Sequence, residues 1–268
     1  MRNCLLYLLI FWFSSLGAQE FALKDLSSSR NKMEWIKIGS AESIVNSFIV
    51  YPDSPTTAPA VIIIHEEFGV TEWMMSFADQ VALQKYIAIV PDLLTGKSPG
   101  KGNSSGFRNL GEARDKLLSL DQQEIFASID MALSYIDELP SCNGTILIAG
   151  LGWGGSQVFN YLSQNDNLEA GLVFYGMAPG KKKILAQIST PIYGFYGDYD
   201  NKVNQTLWGT DKKMKQLGKP FYPVVYEFGG HGFMRTGERP NANEGNIKAR
   251  TAAWNRLHTL LEEYSKII

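Results

Sequence analysis

The chain has 268 residues, 45% of them hydrophobic and 19% charged, with a formal net charge of −2. That length and apolar content suit one large α/β domain, able to bury a core without disulfides or metals, and exclude a disordered chain. A nearly neutral surface with no basic tract gives no electrostatic reason to expect nucleic acid or an anionic membrane as partner.

The N-terminus is a unit of its own. Met1-Arg2-Asn3 carries one positive charge, Leu5 to Phe13 is continuously apolar, and Ser14 to Ala18 offers small residues. This is the pattern of a secretory signal peptide over residues 1–18, its apolar run too short to span a bilayer comfortably; an uncleaved anchor is the alternative. Cleavage after Ala18 removes Arg2 and no acid, leaving 24 basic against 27 acidic residues, net −3. Cys4 leaves as well, so the mature chain holds Cys142 alone and no internal disulfide. The expected location is secreted or periplasmic, with no membrane contact after cleavage.

Residues 19–33 form a polar N-terminal segment, and the domain proper is expected over 34–268. Ser47 to Tyr51 is rich in β-formers and stops at Pro52. Ala60 to Ile64 is a continuous apolar run, as expected of a strand buried on both faces. Runs at 87–90, 145–149, 171–175, 192–196 and 224–228 read the same way. Between them lie helical patterns at 73–84, 122–139, 156–163, 206–217 and 247–267, the second with Ile125, Ile129, Leu133 and Ile136 on one face. Alternating strands and helices predict a mostly parallel central sheet with helices on both faces. The Gly- and Ser-rich stretch 95–106 reads as a mobile surface loop.

The strand at 145–149 runs directly into Gly150-Leu151-Gly152-Trp153-Gly154-Gly155-Ser156, followed by a helix. Strand, sharp glycine-flanked turn, helix is the layout of a nucleophile elbow, which lifts one residue to an exposed apex. Asp200 and His231 follow in the order nucleophile, acid, histidine. Asp200 also suits a plain turn acid in Gly-Asp-Tyr-Asp-Asn, and His231 a structural histidine. His65, His231 and His258 have no ligand spacing, and the elbow glycines lack dinucleotide-loop spacing, so neither metal nor cofactor is expected.

Four segments, in order and spacing, resemble the dienelactone hydrolase family over roughly residues 34–265. They are His65 to Val70 (Glu-x-Phe-Gly), Gly150 to Gly155 (the elbow), Tyr196 to Val203 (the acid loop) and Gly230 to Arg235 (His-x-Phe). The resemblance implies an α/β-hydrolase fold acting on small esters or lactones. It implies Asp200 and His231 as acid and base, Glu66 as a cleft carboxylate, the backbone N–H groups of Glu67 and Trp153 as an oxyanion hole, and Arg235 as a contact to an anionic substrate. For Glu66 a solvated loop acid is the alternative reading, and for Arg235 a plain surface position. Arg108 and Arg114 both remain open as a second arginine.

One position departs from the family. Where it has cysteine, this chain has Gly152, which brings no atom able to attack a carbonyl. Ser156 lies one helical turn beyond the apex and is expected to point along the helix; Cys142 lies a strand length away. Glycine adopts the strained elbow conformation at little cost, so the turn survives without the nucleophile. Two readings follow: a hydrolase with weak or altered activity, or an inactive pseudoenzyme binding a small ligand or protein partner in the former cleft.

Overall fold

The computed structural model describes residues 22, 26–40, 43–54, 56–100 and 102–266. The expected signal peptide at 1–18 lies outside the described residues. Within them, strands β1 (Lys32–Ser40), β2 (Ser43–Tyr51), β3 (Ala58–Ile64), β4 (Ile87–Pro91), β5 (Cys142–Leu151), β6 (Gly171–Phe174), β7 (Ile192–Gly197) and β8 (Phe221–Tyr226) form one sheet. Its order is β1-β2-β4-β3-β5-β6-β7-β8. β2 pairs antiparallel with β1 and β4, and every other pairing is parallel.

The helices are α1 (Glu72–Ala82), α2 (Leu110–Leu118), α3 (Gln122–Asp137), α4 (Trp153–Leu162), α5 (Lys182–Leu185), α6 (Asn201–Gln216), α7 (Phe233–Thr236) and α8 (Glu244–Tyr264). They cover both faces of the sheet. Along β3 and β5, Ile62, Ile64 and Ile148 enter one core while Val61, Ile63, Leu147 and Ala149 enter the other. A strand buried on both faces cannot alternate apolar with polar, which is why these segments read as unbroken apolar runs. No described helix is long and apolar enough to cross a membrane.

The elements missing from the sequence reading have physical reasons. β1 is an edge strand with a half-exposed, charge-bearing pattern, and α2 presents only Ala113 and Leu117 to the core. β8 begins three residues earlier than its apolar run because Pro223 sits inside it, a residue tolerated at a sheet edge. α6 and α8 start before their apolar periodicity does. Their first turns are polar, and Asp200 and Asn243 cap them through side-chain hydrogen bonds.

The surface loop at 95–106 is anchored to the body of the protein at Ser104. The buried Asp92 carboxylate accepts from the Ser104 amide (2.7 Å), the Ser104 hydroxyl (2.5 Å) and the Leu94 amide (3.0 Å). Ser104 Oγ in turn accepts from the Val70 amide (3.0 Å). A glycine-rich sequence suggested freedom, but this buried network ties the loop to the segment after β3.

Candidate active site

The parallel strands all end on one side of the sheet, and the segments leaving those ends carry the candidate chemistry. β3 leads to Glu66 and Glu67, β5 to Gly152, β6 to Tyr175, β7 to Asp200 and β8 to His231. Ligands in open α/β sheets bind at this edge.

Gly152 stands between β5 and α4 with φ 55° and ψ −115°, a conformation that strains any residue with a Cβ by order 1–3 kcal/mol. Its N–H donates to the Phe174 carbonyl (2.9 Å), tying the apex to β6. Close approach explains the next glycine: a Cβ at Gly154 would collide with the carbonyl oxygen of Ile64 and lie 2.6 Å from that of His65. The tightness of this elbow is therefore dictated by its glycines. A Cβ at residue 152 would make ordinary van der Waals contact with Glu67 Oε2 at 3.6 Å and the Tyr175 ring at 3.9 Å, with no collision, and the apex lines the cleft.

The acid and the imidazole meet as expected. His231 Nδ1 donates to Asp200 Oδ2 at 2.6 Å. The same carboxylate caps α6 by accepting from the Val203 amide (3.3 Å), so Asp200 both starts that helix and meets the imidazole. Asp200 is 3% exposed and His231 is 54% exposed. A buried, fixed acid thus orients an accessible ring whose Nε2 has no hydrogen bond among the described residues. The Asp200 hydrogen bond raises the His231 pKa above the ordinary histidine value, against the opposing effect of partial burial.

Glu66 and Glu67 diverge sharply. Glu66 is buried, which excludes the solvated-loop reading. Its carboxylate accepts from Arg235 Nε (3.0 Å) and from the Tyr175 hydroxyl (3.3 Å). Burial raises its pKa above the usual carboxylate value, and the Arg235 charge pulls in the opposite direction. Arg235 is thereby engaged with Glu66, and neither residue lies on the wall of the cleft. Glu67 does, and its side chain has no hydrogen bond or ion pair among the described residues. The backbone N–H groups of Glu67 and Trp153 likewise have no acceptor there, the latter because it opens a helix.

His65 holds this segment in place. Burial keeps its ring neutral, with Nδ1 donating to the Glu66 carbonyl (2.7 Å) and Nε2 accepting from the Leu93 amide (3.3 Å). The ring stacks on Trp153 at 6.3 Å. Tyr175, at φ 43°, packs edge-on to His231 at 5.4 Å; sequence reasoning passed over it as a strand residue.

The cleft encloses about 500 Å³ between Gly152, Glu67, Tyr175, Met177 and His231, with Arg114 and Lys202 also on its wall. Arg108 instead points to solvent beside Glu112, so Arg114 is the arginine of that region that reaches the cleft. Ser156 faces the cleft rather than running along the helix, and its Oγ accepts from the Met177 amide (2.9 Å). No group of three or more His, Cys, Asp or Glu among the described residues could hold a metal ion.

The profile of the dienelactone hydrolase family matches residues 45–265. The chain belongs to the dienelactone hydrolase family. A protein of Escherichia coli (strain K12), provisionally named carboxymethylenebutenolidase, is 25% identical over 217 residues, covering 77% of each chain. Carboxymethylenebutenolidase 1 of Cupriavidus pinatubonensis (strain JMP 134 / LMG 1197) is 25% identical over 81% of this chain and 94% of its own. In fold, the chain is similar to a crystal structure from Klebsiella pneumoniae provisionally called dienelactone hydrolase. The TM-score is 0.76 at 21% identity, over 88% of this chain and all of that one. Membership and fold agree with the four segments read from sequence.

Proposed function

We propose that this member of the family hydrolyses small esters or lactones by direct attack of water, without a covalent intermediate. The observation that carries the reading is the His231–Asp200 pair at 2.6 Å beside an apex that bears no side chain. A water in the open volume above Gly152 gives a proton to His231 Nε2 as its oxygen bonds the acyl carbon. The amide N–H groups of Glu67 and Trp153 steady the oxyanion. His231 then returns the proton to the leaving oxygen as the acyl bond breaks. Arg114 and Lys202 on the cleft wall favour substrates that carry an acidic group.

Without a covalent nucleophile, rates of about 10³–10⁴ over the uncatalysed reaction are expected. The test is hydrolysis of p-nitrophenyl acetate and a dienelactone by wild type and His231→Ala. Slow turnover that disappears in the variant supports the reading. The second reading, a pseudoenzyme that only binds a ligand in the cleft, is favoured by the same missing atom. It requires ligand binding without turnover, and binding indifferent to His231→Ala.

Export belongs to the same proposal, on the strength of the apolar run Leu5 to Phe13 and the small residues after it. N-terminal sequencing of protein from an expressing host is expected to begin at Gln19.

A further inference from the structure

Gly152 and Glu67 belong together. The carboxylate of Glu67 lies 3.6 Å from the point where a Cβ at residue 152 would stand, and the Tyr175 ring lies 3.9 Å from the same point. A reactive atom one bond beyond that Cβ would stand next to a carboxylate. With glycine at the apex, that space is left to the carboxylate and to solvent.

The surroundings sharpen the point. Glu66, the neighbouring acid, is consumed by Arg235 and Tyr175. Glu67 has no such partner among the described residues, yet it stands on the cleft wall with His231. Its charge is among those that raise the His231 pKa, which places the two groups within electrostatic reach. The open volume is thus bordered by two unengaged acceptors, the Glu67 carboxylate and His231 Nε2. Two unengaged donors, the amides of Glu67 and Trp153, belong to the same segments. One water has two protons to give, and an ester carbonyl has one oxygen to be held.

We propose that Glu67 is a catalytic residue whose carboxylate, with His231, holds the attacking water in the volume that Gly152 leaves open. This rests on the hydrolytic reading above and deepens it. One O–H of the water donates to Glu67 and the other to His231, which turns an oxygen lone pair outward to the substrate. As the O–C bond forms, the proton facing His231 moves to Nε2, while the proton facing Glu67 stays on the oxygen. When the ester C–O bond breaks, the leaving oxygen takes the proton from His231. The new carboxylic acid then releases its remaining proton to solvent. Two acceptors fix the water where a bound thiol would otherwise have fixed itself by a covalent bond.

The experiment is steady-state hydrolysis of p-nitrophenyl acetate by wild type, Glu67→Leu, Glu67→Gln, Glu67→Ala and His231→Ala, with thermal melting of each. Glu67→Leu is expected to lower kcat about 10²-fold with KM nearly unchanged, because a positioned proton acceptor contributes at that scale. Glu67→Gln keeps an acceptor oxygen and is expected to recover part of the loss, an effect that filling space alone would not give. Glu67→Ala repeats the measurement should the leucine not fold. Turnover lost in His231→Ala but retained in the Glu67 variants overturns the role of Glu67 and leaves the hydrolytic reading standing. A rise in KM at constant kcat overturns it too, since Glu67 would then contact substrate and not water. No turnover in wild type overturns both.

Discussion

Arg235→Ala isolates the buried ion pair that Arg235 makes with Glu66. Arg235 is 28% exposed and Glu66 7%, so the truncation leaves a buried carboxylate with only the Tyr175 hydroxyl as donor. Breaking a buried pair from one side costs about 3–5 kcal/mol, and the partial exposure of Arg235 places this one near the low end. The cost depends on pH, with a definite sign. Burial raises the folded-state pKa of Glu66 above its unfolded value, so the folded protein binds the proton more readily. Stability therefore falls as pH rises from the unfolded carboxylate value, about 4.3, through the folded one. Without Arg235 the folded value climbs further and the window widens upward. At pH 5, nearer the unfolded value, the loss is expected to be smaller than at pH 8. At pH 8 a loss of about 3 kcal/mol corresponds to a fall in Tm of roughly 6–12 °C for a domain of this size. Thermal melts of wild type and Arg235→Ala at the two pH values measure the difference, and Glu66→Gln/Arg235→Ala is expected to recover most of the loss at pH 8. An equal fall in Tm at both pH values, or no recovery in the double variant, would refute the reasoning.

Asp200→Asn is expected to leave the fold intact while lowering turnover of p-nitrophenyl acetate by about 10²–10⁴, since the His231 ring loses its orienting acceptor. The acid limb of the rate profile should move to lower pH in the same variant, because the Asp200 hydrogen bond is the largest cause raising the His231 pKa. Gly154→Ala places a methyl group against the backbone carbonyls of Ile64 and His65, which cannot give way as a side chain could. Little folded protein is expected from its expression, as judged by circular dichroism. Gly152→Cys is expected to gain little by itself, whereas Gly152→Cys/Glu67→Ala shortens the neighbouring side chain and frees space for the thiol. A gain of about 10²-fold for the double over the single variant would show it in a stopped-flow acylation assay.

Sequence was most informative where a residue type is dictated by backbone. Gly150, Gly154 and Gly155 mark the elbow because a Cβ at any of them would press on backbone atoms, and Asp200 and His231 follow it in triad order. Strands buried on both faces announced themselves as apolar runs. What stayed hidden was set by contacts distant in sequence. Glu66 and Glu67 are adjacent and chemically identical, and only the packing of α7 and of the segment after β6 decides that one is buried against Arg235 and Tyr175 while the other faces the cleft. Tyr175 looked like one more strand residue, since its positive φ leaves no trace in a non-glycine side chain. The tethering of the 95–106 loop depends on Asp92, which sits outside the loop itself.

The central claim is that hydrolysis proceeds with no bond between protein and substrate, and intact-protein mass spectrometry tests it most directly. Wild-type protein mixed with excess p-nitrophenyl acetate, and acid-quenched while p-nitrophenol accumulates, is expected to keep its unmodified mass at every time point. A stoichiometric acetyl adduct that forms and decays at the turnover rate, mapped to Ser156, Glu67 or any other side chain, would contradict it.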